Sequence, residues 1–457
     1  MPVTDIYDAT VRQHANSSRA DVSRRRFLQA AGMSSLSLLS LPGVQGAANQ
    51  LHKRPKVAAV FTEFTHRSHA HVILENFLQH YLFNGEPTDP GVDVVSFYAD
   101  QFPQGRDMSR EVARQFDVPL FDTIDEALCR GGNKLAVDAV LAIGEHGDYP
   151  YNDLGQHMYP RKRFFDEIVA VMHRSGRYVP LFNDKHLSYR WGWAKEMYDV
   201  TQEHGIAFMA GSSVPLAQRR PQLELPAGAQ LETAVSIHGG GVESYDFHAL
   251  EVLQSMVEAR RGGEAGVSRV EFLAGDALIR AAEEGRWSRE LAEAAMRAEL
   301  GERSWTMNQV EGEGPVEPHG VLLEYRDGFR AAVLKIGGSG TRWNFACRLK
   351  DEPKVRATAF YVGPWQNRNL FKALSHAIQH HFVHGKPPYP VERTLLVTGI
   401  LDASMHSRHE KRPIDTPHLE FAYQPRDFRS MREMGASWNI ITDETPQPEG
   451  IVPHGLK

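Results

Sequence analysis

Cysteine is nearly absent: Cys129 and Cys347, the only two in 457 residues, fall in different halves of the chain. They support neither a disulfide framework nor a cysteine-based zinc site. No Gly-x-Ser-x-Gly elbow, Walker loop or His-Glu-x-x-His pair occurs, which removes the commonest hydrolase, nucleotide-triphosphatase and metalloprotease signatures. The most informative absence is of glycine after the first predicted strand. Lys56 to Phe61 runs directly into Thr62-Glu63-Phe64-Thr65-His66-Arg67-Ser68-His69-Ala70-His71. A dinucleotide-binding turn places glycines there, so that backbone can approach a pyrophosphate seated on a helix N-terminus. Here a carboxylate, imidazoles and bulky side chains occupy that corner.

What is present begins with an address. Ser23-Arg24-Arg25-Arg26-Phe27-Leu28-Gln29, the weakly apolar Ala30 to Leu41 and the small residues Gly46-Ala47-Ala48 read as a twin-arginine signal peptide. The apolar run is too short to span a bilayer. Cleavage near Ala48 would hand a folded protein to the twin-arginine export machinery and place it in the periplasm or outside the cell. Residues 1–48 carry five Arg against three Asp, so their removal takes the formal charge from −6 to about −8. That mildly acidic balance argues against nucleic acid as a partner.

The remaining length suffices for two domains. In the first, strand signals at Val57–Phe61, Val92–Phe97, Ala136–Ile143, Val179–Phe182 and Ala207–Ala210 alternate with amphipathic helices at Asp122–Arg130, Lys162–Ser175 and Ser188–Glu203. This βαβ series predicts a Rossmann-like parallel sheet over 49–215. After the proline-containing crossing at Arg219–Pro226, strands at 234–238, 267–273, 321–326, 329–336, 342–349 and 356–362 predict an α+β domain with a largely antiparallel open sheet over 216–441. Its helices are expected at Phe247–Arg261, Asp276–Leu300, Leu370–His384 and Glu392–Arg408. Residues 442–457 read as a loose polar tail, and an exposed sheet would permit homo-oligomers through the second domain.

The strand Val137-Asp138-Ala139-Val140, the run Val179–Phe182 into Asp184-Lys185-His186, a helix, and Gly205-Ile-Ala-Phe-Met-Ala-Gly211 together resemble the Gfo/Idh/MocA oxidoreductases. Tyr245-Asp246-Phe247-His248-Ala249-Leu250-Glu251 and Gly385 to Val391 fall where that family carries a histidine-bearing helix and a late turn. The resemblance spans roughly residues 55–410. It implies action on a carbohydrate, polyol or related hydroxy compound, with NAD(P) as cofactor. The family's Glu-Lys-Pro motif falls on Asp184-Lys185-His186, which keeps the lysine. Its Asp-x-x-x-His pattern falls on Ser244 to His248, which keeps the histidine, with Glu243 or Asp246 as substitute acid. By resemblance, Lys185 and His248 are the catalytic acid–base pair.

Without the family, the chemistry converges on the same place. Ligands of an open parallel sheet bind beyond the carboxyl ends of its strands. Glu63 and His66 follow the first strand, Glu145, His146, Asp148 and Tyr149 the third, and Asp184, Lys185 and His186 the fourth. A lysine and a histidine in one crevice are equipment for moving a proton beside a carbonyl or hydroxyl carbon. Two further readings stay open. Glu63, His66, Glu145 and His146, with His69, His71 and Asp148, offer N and O ligands for a divalent metal in a non-redox lyase, epimerase or hydrolase, although hydrogen-bonded loop histidines are the commoner outcome. A cofactor-free carbohydrate-binding protein would use Tyr149, Tyr151, Trp191 and Trp193 as stacking surfaces, although such aromatics more often pack a core. His376, His380 and His384 share a helix face and read as a polar stripe before a chelate. Arg161, Lys162 and Arg163 read as a solvated helix start.

Overall fold

The computed structural model describes residues 54–448 and 450–451, so the predicted signal segment at 1–48 lies outside the described residues. Six apolar runs form a parallel sheet: β1 Lys56–Phe61, β2 Asp93–Ala99, β3 Leu120–Phe121, β4 Ala139–Ile143, β5 Leu181–Asp184 and β6 Phe208–Gly211. β1 and β4 to β6 are buried on both faces, as parallel strands flanked by helices must be. The helices are α1 His69–Leu78, α2 Ser109–Gln115, α3 Ile124–Cys129, α4 Arg161–Ser175 and α5 Trp191–Glu203. The strand order β3-β2-β1-β4-β5-β6 reverses direction between β1 and β4. A crevice opens there, bounded by the loops that follow those two strands.

The second sheet contains β7 Gln218–Arg220, β8 Leu231–His238, β9 Val267–Ala274, β10 His319–Tyr325, β11 Arg330–Lys335, β12 Trp343–Leu349, β13 Arg356–Tyr361 and β14 Ile414–Asp415. Its order is β14-β9-β10-β11-β8-β12-β13-β7, antiparallel throughout except for the parallel pair β8 and β11. Both faces are covered. Val235, Ile237, Leu322, Leu334 and Ala346 pack against α7 Asp276–Glu283 and α8 Arg289–Leu300. The alternate positions Ala234, Val321, Leu323, Val333 and Phe345 face the opposite core with α6 Ser244–Val257, α9 Asn367–His384 and α10 Val391–Glu410. This is the two-residue period of a strand doing its ordinary work. The expected single helix at 276–300 is two, because Gly285 turns the chain at φ +72° and Ser288 caps the next helix by accepting from Leu291 N–H at 3.2 Å.

α9 crosses back to pack on α1, and α10 on α6, so the two sheets share a continuous core. The polar tail is not loose over its described length: Trp365 Nε1 donates to Thr445 O at 2.9 Å, Arg368 reaches Pro448 O, and Ile451 is buried. Its polar composition hid one anchoring isoleucine and backbone acceptors that side chains could use. His376, His380 and His384 form no chelate. His376 stacks on Phe83 at 4.0 Å and its Nδ1 meets Tyr81 Oη at 2.9 Å. Trp191 packs against His418 and Phe421, and Trp193 against Tyr189.

Inside the core, Arg393 of α10 donates through Nε to Glu258 Oε2 at 2.9 Å, and Tyr423 Oη donates to the same oxygen at 2.9 Å. Both members of this pair are almost fully buried. Removing one partner of a buried pair leaves an unpaired charge. Glu258→Ala is therefore expected to lower the unfolding free energy by roughly 3–5 kcal/mol in denaturant titrations. His381, fully buried, is held down to about 4 by its burial against an ordinary 6.5. Above pH 6.5 this has no effect. As pH falls from 6.5 to about 4 the unfolded chain takes a proton that the native chain refuses, so stability declines over that window by roughly 3 kcal/mol. Urea titrations at pH 7 and 4.5 should show a smaller loss in His381→Asn than in the parent.

Candidate active site

The loops after β1, β4 and β5 and the start of α6 enclose a cavity of about 690 Å³. Its chemistry is organised by one carboxylate. Glu145, just beyond β4, accepts from Lys185 Nζ at 2.8 Å through Oε1 and from Arg161 through Oε2. Burial alone would raise its pKa, but the Lys185 and Arg161 charges more than offset this and hold it well below the usual carboxylate range. Arg161 opens α4 and is buried, contrary to its expected place on a solvated helix start. Gly144 makes room for it, since a Cβ there would stand 2.6 Å from Arg161 Cγ. Arg161 also donates through Nη1 to His186 Nε2 at 3.1 Å, so the imidazole proton sits on Nδ1, and burial followed by the Arg161 charge keeps His186 neutral.

Lys185 follows β5 with φ +64°, a conformation that non-glycine residues rarely adopt. Its backbone N–H donates to Gly211 O at 3.3 Å and its Nζ to Ser244 O at 3.3 Å as well as to Glu145. The strained backbone thus aims a buried ammonium at the cavity wall. Asp184, one residue earlier, turns away and meets His69 Nδ1 at 2.6 Å, leaving the other ring nitrogen of His69 toward the cavity that it lines. His146 stands beside it, ring centroids 5.0 Å apart.

Across the cavity, α6 supplies Glu243, Tyr245 and His248. His248 shares a 2.6 Å hydrogen bond between Nδ1 and Ser212 Oγ, and burial, then the Lys185 charge, keeps it far below the ordinary imidazole value. Of the two candidate replacements for the family aspartate, Glu243 faces the cavity and accepts from His157 N–H at 3.1 Å. Burial lifts its carboxyl to about 7. Asp246 points away, into the second sheet. Tyr245 and Trp343 stack at 5.1 Å and 11° to form an aromatic wall.

The cavity therefore brings together Lys185, His248, Glu145, His146 and His186 of the expected set. Asp184 is buried behind His69. Glu63 and Asp148 line a neighbouring open cleft of about 750 Å³ that meets the first at His146 and Tyr159. Tyr149 is diverted, donating to Asp100 Oδ2 at 2.6 Å, and His66 lies exposed outside both spaces. The four candidate metal ligands Glu63, His66, Glu145 and His146 do not converge: among the described residues they form no cluster of metal-binding geometry, and both oxygens of Glu145 are already taken. His157, Tyr159 and Trp343 are additions that strand-end logic did not reach, because each comes from a loop closure or from the second sheet, while Arg67 and His69 follow β1, where the sequence offered His69 only as a metal ligand.

A dinucleotide held in the usual way does not fit these residues. The turn after β1 is filled by its own side chains: Phe64 is fully buried, Thr65 Oγ1 donates to Glu63 Oε1 at 2.8 Å, and Ser68 Oγ accepts from Thr65 N–H at 3.1 Å. The N-terminus of α1 is occupied as well, with Ser68 as cap and His69 N–H donating to His146 Nδ1 at 3.5 Å. Asp100, which follows β2 where a ribose-binding carboxylate belongs, is saturated by Tyr98, Tyr149 and Arg163.

Among the described residues, the Glu145 carboxylate is the only counter-charge that Lys185 and Arg161 share. In Glu145→Gln the two buried cations would face each other unneutralised, which is expected to lower the unfolding free energy by roughly 3–5 kcal/mol in denaturant titrations.

No family model matches the chain, and no curated protein does. Solved structures do. GenD2 from gentamicin A biosynthesis, determined in complex with NAD, superposes with a TM-score of 0.51 at 14% identity, covering 82% of this chain and 99% of its own. The apo scyllo-inositol dehydrogenase from Lactobacillus casei gives 0.50 at 10% identity, covering 80% and 98%. With its six-stranded parallel sheet and mostly antiparallel second sheet, the chain has the fold of the Gfo/Idh/MocA-type dehydrogenases.

Proposed function

We propose that this protein is an exported enzyme that acts on a carbohydrate, polyol or related hydroxy compound by proton transfer, with His248 as acceptor and Lys185 as the charged donor. The observation that carries this reading is the pairing, in one cavity, of an imidazole held neutral by burial with an ammonium held by Glu145. A neutral His248 is free to take a proton from a substrate hydroxyl or an activated C–H. The Lys185 ammonium stabilises negative charge developing on the substrate oxygen and returns a proton to it. Arg161 and Glu145 keep Lys185 in place through the cycle, and the Tyr245–Trp343 wall suits the apolar face of a sugar ring. Export is supported by the paired arginines in Ser23 to Gln29.

Such chemistry includes epimerisation and elimination and needs no hydride acceptor. A second reading, oxidation with a nicotinamide cofactor, is favoured by one observation, the NAD complex of a structural neighbour. Fluorescence titration with NADH and NADPH separates the two. No saturable binding is expected at submillimolar nucleotide, whereas a saturating curve would transfer the assignment to an oxidoreductase.

Turnover can be sought with a panel of sugars, polyols and sugar acids in D₂O, with exchange of substrate C–H followed by NMR. On any substrate found, Lys185→Ala is expected to lower kcat by roughly 10²-fold or more while leaving the circular dichroism spectrum unchanged. Unaltered kcat would remove Lys185 from the mechanism.

A further inference from the structure

Behind the aromatic wall lies a second cluster that the proton-transfer chemistry does not use. His238 ends β8, His319 begins β10, and Asp246 sits in the first turn of α6. Three separate elements thus deliver side chains to one point. His238 Nε2 stands 2.9 Å and His319 Nε2 2.8 Å from the same carboxylate oxygen, Asp246 Oδ1. All three ligand atoms lie within 4.8 Å of one another. The residues are 0%, 4% and 0% exposed for His238, His319 and Asp246.

Two imidazoles and one carboxylate are the donor set of many zinc and other first-row dication sites. The arrangement has further properties of such a site. Asp246 is oriented by a hydrogen bond to its other oxygen, Oδ2, from Glu243 N–H at 2.8 Å, which leaves Oδ1 as a single directed donor. The shell around it is aromatic: His319 stacks on Phe272 at 5.1 Å, and His238 lies parallel to Tyr245 and Trp343 at 6.3 and 6.4 Å. A carboxylate in so dry a place requires compensation, which in this cluster comes as hydrogen bonds at Oδ1 from the two Nε2 atoms. A dication supplies both the charge and the geometry.

We propose that His238, Asp246 and His319 form a binding site for a divalent first-row transition metal, zinc in the first instance, that fastens the start of α6 to the second sheet. Three protein ligands leave a fourth position for water. The ion would sit on the far side of Tyr245 and Trp343 from the cavity. Its consequence is positional, because the turn it holds carries Glu243, the Ser244 carbonyl that receives Lys185, and His248 one helical turn further on.

The test is made on the intact chain, purified without chelator and measured by inductively coupled plasma mass spectrometry. About one equivalent of zinc or another first-row metal per chain is expected. The protein is then stripped with dipicolinate and titrated with cobalt(II). Visible d–d absorption saturating near one equivalent is expected in the parent, and its loss in His319→Gln, while the surface control His384→Gln behaves as the parent. Zinc is also expected to raise the Tm of the stripped parent by several degrees and to leave His319→Gln unchanged. A natively folded parent that arrives metal-free and takes up neither cobalt nor zinc would overturn the site and leave a hydrogen-bonded His–Asp–His cluster. Equal uptake by His319→Gln would overturn it in favour of another location. Should His319→Gln fail to fold, the metal content and cobalt titration of the parent still decide.

Discussion

The ion pair of Lys185 with Glu145 is the contact around which the cavity is built. It joins the end of β5 to the end of β4, and Arg161 ties the same carboxylate to the start of α4. Buried charges are stable only when their partners are in place. Strand register, the close approach at Gly144 and the positive φ of Lys185 are therefore mutually dependent. The same pair sets the electrostatics. Lys185 contributes to keeping His248, His186 and His146 neutral, and it helps to hold Glu145 ionised.

Beside this arrangement stands the altered turn after β1. In a dinucleotide site that corner is backbone, open to phosphate oxygens. Here Phe64 enters the core, Glu63 and Thr65 satisfy each other, and His146 accepts from the first N–H of α1. The phosphate-binding space has become a wall, and the imidazoles that line it face the cavity shared with Lys185.

Most strands and helices were legible because their signals are local: alternation exposed the second sheet and apolar runs the first, while α2 and the two- and three-residue strands β3, β7 and β14 are too short to carry a pattern. Lys185 and Glu145 could be placed at the crevice because a parallel sheet presents its strand ends there. Burial direction was not legible. Nothing in the Asp184-Lys185-His186 run shows that Asp184 turns back to His69, or that Asp246, three residues after Glu243, leaves the cavity for His238 and His319. His69 and Asp184 are 115 residues apart and Asp246 and His319 are 73 apart, and even the nearer His238 belongs to a separate element, β8. The polar tail failed for the same reason, since its anchors are the side chains of Trp365 and Arg368.

The second sheet spends both its faces within one chain, because α7 and α8 cover the side opposite α6 and α10. Its outermost strands are β7, three residues long, and β14, two residues long. Short edges offer few free peptide groups for strand addition. The sheet therefore needs no second copy to bury its apolar surface and presents almost no ladder to extend. A subunit contact made through the outer surfaces of α7 and α8, which are rich in Glu and Arg, would be weakened by salt.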